Sequence, residues 1–91
     1  MVLHYLPVRP VDDGPGPRAG FVVGRTVGNS VVRHRVTRRL RAVVRDELHR
    51  LPGTADLVVR ARPEAAEATS DRLRRDLAAG LDRVLADRVR P

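Results

Sequence analysis

Apolar and polar positions along this chain follow two different periods, which predict its elements. Three runs rich in valine and leucine predict β-strands, at residues 1–9, 18–28 and 55–63. Segment 10–17 holds three prolines and two glycines, and it predicts a solvent loop joining two antiparallel strands. Glycines at 20, 24 and 28 indicate a bend or bulge in the second run, or two strands that share a tight corner.

The segment after the second run has the period of an amphipathic helix. Asn29 or Ser30 can cap it, and Leu-Pro-Gly at 51–53 ends it. Residues at spacings of three and four predict a buried stripe: Val32, Val36, Leu40, Val43 and Val44. Five arginines lie across the opposite side: Arg35, Arg38, Arg39, Arg41 and Arg45. Arg33 lies near the edge of the stripe.

A second amphipathic helix is predicted over residues 69–89. Its apolar face contains Leu73, Leu77, Leu81, Val84 and Leu85. Gly80 weakens this helix by about 1 kcal/mol relative to alanine. The order strand, strand (with a third strand if the second run is split), helix, strand, helix predicts an α+β fold, a small mixed sheet of about four strands packed against helices. We expect one domain over residues 1–91.

Charge is concentrated in one third of the chain. The net charge is +7, and residues 18–50 hold nine arginines against Asp46 and Glu47, so that segment carries the whole excess. Every basic residue is arginine, whose planar fork suits phosphate, although GC-rich codon usage explains the absence of lysine equally well. A solvated helix face is the ordinary explanation for a charge run, but this helix lacks interspersed glutamates. The pattern therefore favours phosphate binding, with DNA or RNA undecided.

Other chemistry finds little support in the sequence. There is no cysteine, and His4, His34 and His49 have no metal-site spacing. Neither Ser30 nor Ser70 lies in a nucleophile elbow, and no Gly-rich phosphate loop is present. No apolar run approaches the roughly 20 residues of a membrane span. We expect a soluble cytoplasmic protein that makes no membrane contact and is not catalytic by itself.

The stretch RAGFVVGRTVGNSVVRHRVTRRLRAVVR, residues 18–45, resembles the signature of the protein subunit of bacterial ribonuclease P. The resemblance extends from Val2 to about Ala86. It implies the ribosomal protein S5 domain 2-like fold, in which the basic helix connects two parallel strands by a left-handed crossover. This handedness is rare among proteins. It also implies an RNA-catalysed endonuclease that removes the 5′ leader of precursor tRNA, with Mg²⁺ held mainly by the RNA and the substrate.

The implied partners are ribonuclease P RNA and precursor tRNA. Residues expected to bind RNA are Arg25, Asn29, Arg33, His34, Arg35, Arg38, Arg39, Arg41, Arg45 and Arg62. Residues expected to line the leader cleft are His4, Tyr5 and Phe21. The alternative function is a binding module without associated catalysis, such as a ribosomal or RNA-chaperone-like protein.

Three departures from the family pattern stand out. His34 replaces a central asparagine, and Gly24, Arg25 and Thr26 stand where Ser-Lys-Lys is usual, while Thr37 replaces a common lysine. The family begins with a helix ahead of the first strand, and this chain starts too late to contain it. We expect the apolar sheet surface left by that helix to favour weak self-association.

Overall fold

A computed structural model describes residues 1–10 and 14–86, and it confirms the α+β class. The strands are β1 (Val2–Leu6), β2 (Arg18–Val22) and β3 (Asp56–Arg60). The helices are α1 (Ser30–Arg45) and α2 (Ser70–Ala86). Short 3₁₀ turns follow α1 at Leu48–Arg50 and β3 at Pro63–Glu67. The part of the second predicted helix beyond Ala86 lies outside the described residues.

The sheet has β3 at its centre, in the order β1-β3-β2. β1 pairs antiparallel with β3, and β2 pairs parallel with β3. β1 and β2 therefore run in opposite directions, as predicted, but they are not neighbours. β2 connects to its parallel neighbour β3 through α1, which is a crossover connection. The family resemblance implies that this crossover is left-handed, and its handedness remains a prediction.

The expectation of about four strands is wrong for the described residues, which form three. Residues 24–27, where a second half-strand was one alternative, form a turn closed by a hydrogen bond from Val27 N to Gly24 O of 3.1 Å. Gly28 then leads into α1. A Cβ at Gly28 would lie 2.8 Å from Cγ1 and 2.9 Å from Cβ of Val32, so this close approach requires glycine.

Both helices pack on one face of the sheet. Leu57 and Val59 of β3 point into that face and are almost fully buried. The buried side chains supplied by the helices are Val36, Leu40, Val43 and Val44 of α1 and Leu73, Leu77 and Leu81 of α2. The predicted stripes are confirmed, except that Val32, Val84 and Leu85 lie partly exposed at the core's margin.

Helix α1 begins as predicted but ends earlier. The Asn29 side chain accepts a hydrogen bond from Val32 N at 3.0 Å, which is an N-cap. The helix ends at Arg45, before the predicted stop at Leu-Pro-Gly, and the chain tightens into the 3₁₀ turn. That turn packs Leu48 against the core and leads to the buried Leu51, so tertiary packing rather than the proline ends the helix.

Gly80 has a packing role that its helix propensity does not reveal. A Cβ there would lie 2.6 Å from Leu3 Cδ1, so the glycine lets α2 approach β1 closely. Neither described helix has the length and apolar character that crossing a membrane requires.

Arg9 is the one buried charged residue among those described. Its guanidinium donates to the carbonyl oxygens of Gly16 at 2.9 Å, Gly53 at 3.3 Å and Ala55 at 3.3 Å, and to that of Gly14. These bonds tie the loop before β2 to the start of β3.

Candidate nucleic-acid interface

The side of α1 that faces away from the sheet is covered with arginine. Four of its six arginines are exposed: Arg35, Arg38, Arg41 and Arg45. His34 is exposed on the same side, whereas Arg33 and Arg39 are partly buried at its two flanks. The predicted cationic face of this helix is therefore present as one continuous surface, which we call the α1 face.

Two arginines on the α2 side of this face are held in place by backbone. Arg35 Nη2 donates to Ala66 O at 3.1 Å, and Arg39 Nη1 donates to Ala68 O at 2.9 Å. Carbonyl acceptors orient the guanidiniums but carry no net charge. Both arginines are thus partly ordered before any ligand arrives, which lowers the entropic cost of binding.

The flank that faces β2 is arranged differently. The Arg41 guanidinium carbon lies 5.8 Å from the centroid of the Phe21 ring, within the range of a cation–π contact. Thr37 donates to the carbonyl oxygen of Arg33 at 2.9 Å, so its hydroxyl is engaged by the helix backbone. Arg33 Nε is buried and has no hydrogen-bond partner among the described residues.

The α1 face keeps its full positive charge. Within the part of the chain that the structure describes, none of the six α1 arginines lies within 4.0 Å of a carboxylate. The acidic residues nearest in sequence are used elsewhere, since Asp46 binds Arg74 at 3.0 Å and Glu47 lies 3.6 Å from Arg50. An uncompensated charge of this density attracts polyanions.

The three residues predicted to line one cleft do not share a face. Strand alternation places Tyr5 and Phe21 on the helix side of the sheet, where both pack against the core. His4 is exposed on the opposite side. The common placement of His4, Tyr5 and Phe21 on one face is therefore wrong, because His4 and Tyr5 are consecutive in β1 and consecutive side chains of a strand point to opposite sides of the sheet.

The uncovered side of the sheet, which we call the open face, consists of three rows across the strands. The rows are Val2, Arg60 and Val22; His4, Val58 and Gly20; and Leu6, Asp56 and Arg18. Leu6 is 49% and Val22 46% exposed, so the face presents apolar surface beside His4.

One row of the open face contains an ion pair. Arg18 donates to Asp56 through Nε at 3.0 Å and Nη2 at 3.1 Å. The hydrogen bond from Arg18 lowers the pKa of the Asp56 carboxyl below its usual value. The pair neutralises the charge at the end of the open face where β3 begins.

The remaining predicted residues are placed at the margins. Arg25 is exposed in the turn before α1, and Arg62 is exposed just after β3. Asn29 is exposed, but its side-chain oxygen already caps α1. Among the described residues, no group of three or more His, Cys, Asp or Glu side chains is placed to hold a metal ion.

Arg60, the exposed last residue of β3, is not among the residues that the sequence predicts to bind RNA. Alternation with the core residues Leu57 and Val59 places this arginine away from the helices, and that signal was readable in the sequence. What could not be read was its register opposite Val2 and Val22, on the same face as His4.

Comparison with known proteins decides the family. The family model described as Ribonuclease P matches residues 1–85. This chain belongs to the ribonuclease P protein family. It is 51% identical over 87 residues to the ribonuclease P protein component of Nocardioides sp. (strain ATCC BAA-499 / JS614), covering 96% of this chain and 74% of that protein. It is 53% identical over 83 residues to that of Mycobacterium sp. (strain KMS), covering 91% and 69%.

The fold agrees with a solved structure of the same family. The Staphylococcus aureus RNase P protein superposes with a TM-score of 0.69 at 22% identity, covering 90% of this chain and 72% of that one. As a member of this family, the chain is a subunit of a ribonucleoprotein endoribonuclease, and its partner is ribonuclease P RNA. The alternative of an RNA-binding module without associated catalysis is thereby set aside.

Proposed function

We propose that the α1 face binds ribonuclease P RNA while the open face holds the 5′ leader of precursor tRNA as it is removed. The observation that carries this proposal is the set of six α1 arginines without a carboxylate partner among the described residues. Phosphate contacts by such groups supply sequence-independent affinity.

The two surfaces lie on opposite sides of the β-layer. Helix α1 packs on the core side with Phe21, whereas His4 and Val58 point to the other side. Because the layer separates them, both RNAs can be bound at once without competing for the same groups. This arrangement suits a subunit that joins a substrate to a catalytic RNA.

The open face suits a single strand better than a duplex. The other two residues in the row of His4 are the apolar Val58 and the small Gly20, which leaves open space. Unstacked bases pack on apolar surface and on the planar imidazole of histidine. Leader binding would also cover the exposed Leu6 and Val22, so weak self-association through this face, still a prediction, would compete with substrate.

In the proposed complex, Mg²⁺ is bound mainly by RNA. No cluster of carboxylates among the described residues fits the ion, and we assign it mainly to ribonuclease P RNA and substrate phosphates. The protein's part is electrostatic. The α1 face offsets repulsion between phosphates that would otherwise need more divalent cation, so its effect is largest at low Mg²⁺.

Reconstitution with a bacterial ribonuclease P RNA at low Mg²⁺ tests the proposal. The protein should increase cleavage of precursor tRNA over RNA alone, and Arg38→Ala or Arg41→Ala should reduce that gain. Arg75→Ala on α2 removes the same charge from another exposed site and serves as the matched control. If the protein gives no gain, or if all three variants lose equally, the proposal is wrong.

A further inference from the structure

Arg60 is the one charged residue in its row of the open face. It ends β3 and lies opposite Val2 of β1 and Val22 of β2. The side chain is exposed, and no carboxylate among the described residues lies within 4.0 Å of it. Among residues 1–10 and 14–86 no hydrogen bond or ion pair involves this guanidinium, so its charge is available to a ligand.

The two ends of the open face differ in charge. At the end where β3 begins, Asp56 and Arg18 neutralise each other. At the end where β3 stops, Arg60 and Arg62 are both positive, and they line a shallow hollow of about 360 Å³ together with His4 and Thr26. A phosphate would be attracted to this end, whereas the Arg18–Asp56 pair at the other end carries no net charge.

We propose that Arg60 is a specificity-determining residue of the leader site, where it binds a backbone phosphate of the single strand. This inference rests on the proposed function of the open face. Rows on one face of a strand are about 6.6 Å apart, twice the rise per residue. A base packed on His4 therefore places its neighbouring phosphate beside the row of Arg60, about the span of one extended nucleotide.

The test uses the holoenzyme assembled with ribonuclease P RNA and two ligands, precursor tRNA and mature tRNA that lacks the leader. Arg60→Gln should weaken binding of precursor tRNA about tenfold, the loss expected for a hydrogen bond to a charged group. The log–log salt slope should fall by about 0.7, the value for one single-strand phosphate. Arg60→Lys should restore the slope, and Arg75→Gln should change neither quantity.

The results separate this inference from the proposed function. Wild-type protein that binds precursor and mature tRNA equally would refute the leader role of the open face, and this inference with it. If wild type does prefer the precursor, two results overturn the role of Arg60 alone. One is Arg60→Gln that keeps the full preference, and the other is a loss of affinity equal for mature tRNA, which places the contact outside the leader.

Discussion

Helices α1 and α2 are alike inside and different outside. They span 16 and 17 residues, and each buries an apolar stripe against the same face of the sheet. Both are rich in arginine, with six in α1 and four in α2. However, α1 contains no acidic residue, whereas α2 contains three aspartates. The two helices differ less in their number of arginines than in whether acidic residues accompany those arginines.

The ion pairs of α2 show what the aspartates do. Arg72 binds Asp76 at 3.2 Å, Arg74 lies 3.8 Å from Asp71, and Asp82 accepts from Arg50 at 2.5 Å. Exposed pairs of this kind contribute at most about 1 kcal/mol each, so their main consequence is a surface of mixed sign. Because α1 contains no acidic residue, its surface carries charge of one sign, and such a surface binds a polyanion.

The largest expected effect tests the similarity of the two interiors. Leu40→Ala on α1 and Leu77→Ala on α2 should each lower the free energy of unfolding by about 2–5 kcal/mol, because both side chains are fully buried. Urea denaturation of the two variants measures this. A loss below 1 kcal/mol in either variant would show that its helix does not belong to a shared core.

The N-caps give the next largest effect. Asn29 accepts from Val32 N, and Thr69 accepts from Arg72 N at 3.1 Å. Asn29→Ala and Thr69→Ala should each cost about 1 kcal/mol of stability. Only Asn29→Ala should also weaken binding to ribonuclease P RNA, since it disorders the start of the α1 face. Equal RNA affinity in both variants would contradict that distinction.

Surface charge should affect stability little on either helix, though in different directions. Asp76→Asn breaks an i,i+4 pair and should destabilise by about 0.3–0.5 kcal/mol. Arg38→Gln breaks no pair and relieves repulsion, so the free energy of unfolding should stay the same or rise by a similar amount. Thermal unfolding at low ionic strength compares the variants. Clear destabilisation by Arg38→Gln would reveal an intramolecular role for this arginine.

The smallest effect concerns the ion pair on the open face. Because Arg18 lowers the pKa of Asp56 in the folded protein, the pair's contribution to stability is present above the unfolded-state pKa of about 3.9 and is lost as pH falls through the folded value. NMR titration of the Asp56 carboxyl should show a pKa below its ordinary value, and this pKa should rise in Arg18→Gln. An identical titration curve in that variant would assign the shift to another cause.

Local patterns predicted the helices and their faces well, because spacing and capping are properties of adjacent residues. The cap at Asn29 and the stripe through Leu40 are examples. The pairing of Tyr5 with Leu57 could be found only from the strand register, and the role of Arg9 followed from carbonyl groups as far away as Ala55. Such contacts join residues distant in sequence, and no local period encodes them.

The salt dependence of binding to ribonuclease P RNA tests the central claim most directly. Two double variants remove equal charge, Arg38→Gln with Arg45→Gln on α1 and Arg75→Gln with Arg83→Gln on α2, and all four arginines are exposed. The α1 variant should reduce the log–log slope by about 1.4–1.8, which corresponds to two phosphate contacts, and the α2 variant should leave it unchanged. Equal slopes in the two variants would contradict the claim that unpaired arginines on α1 form the RNA-binding surface.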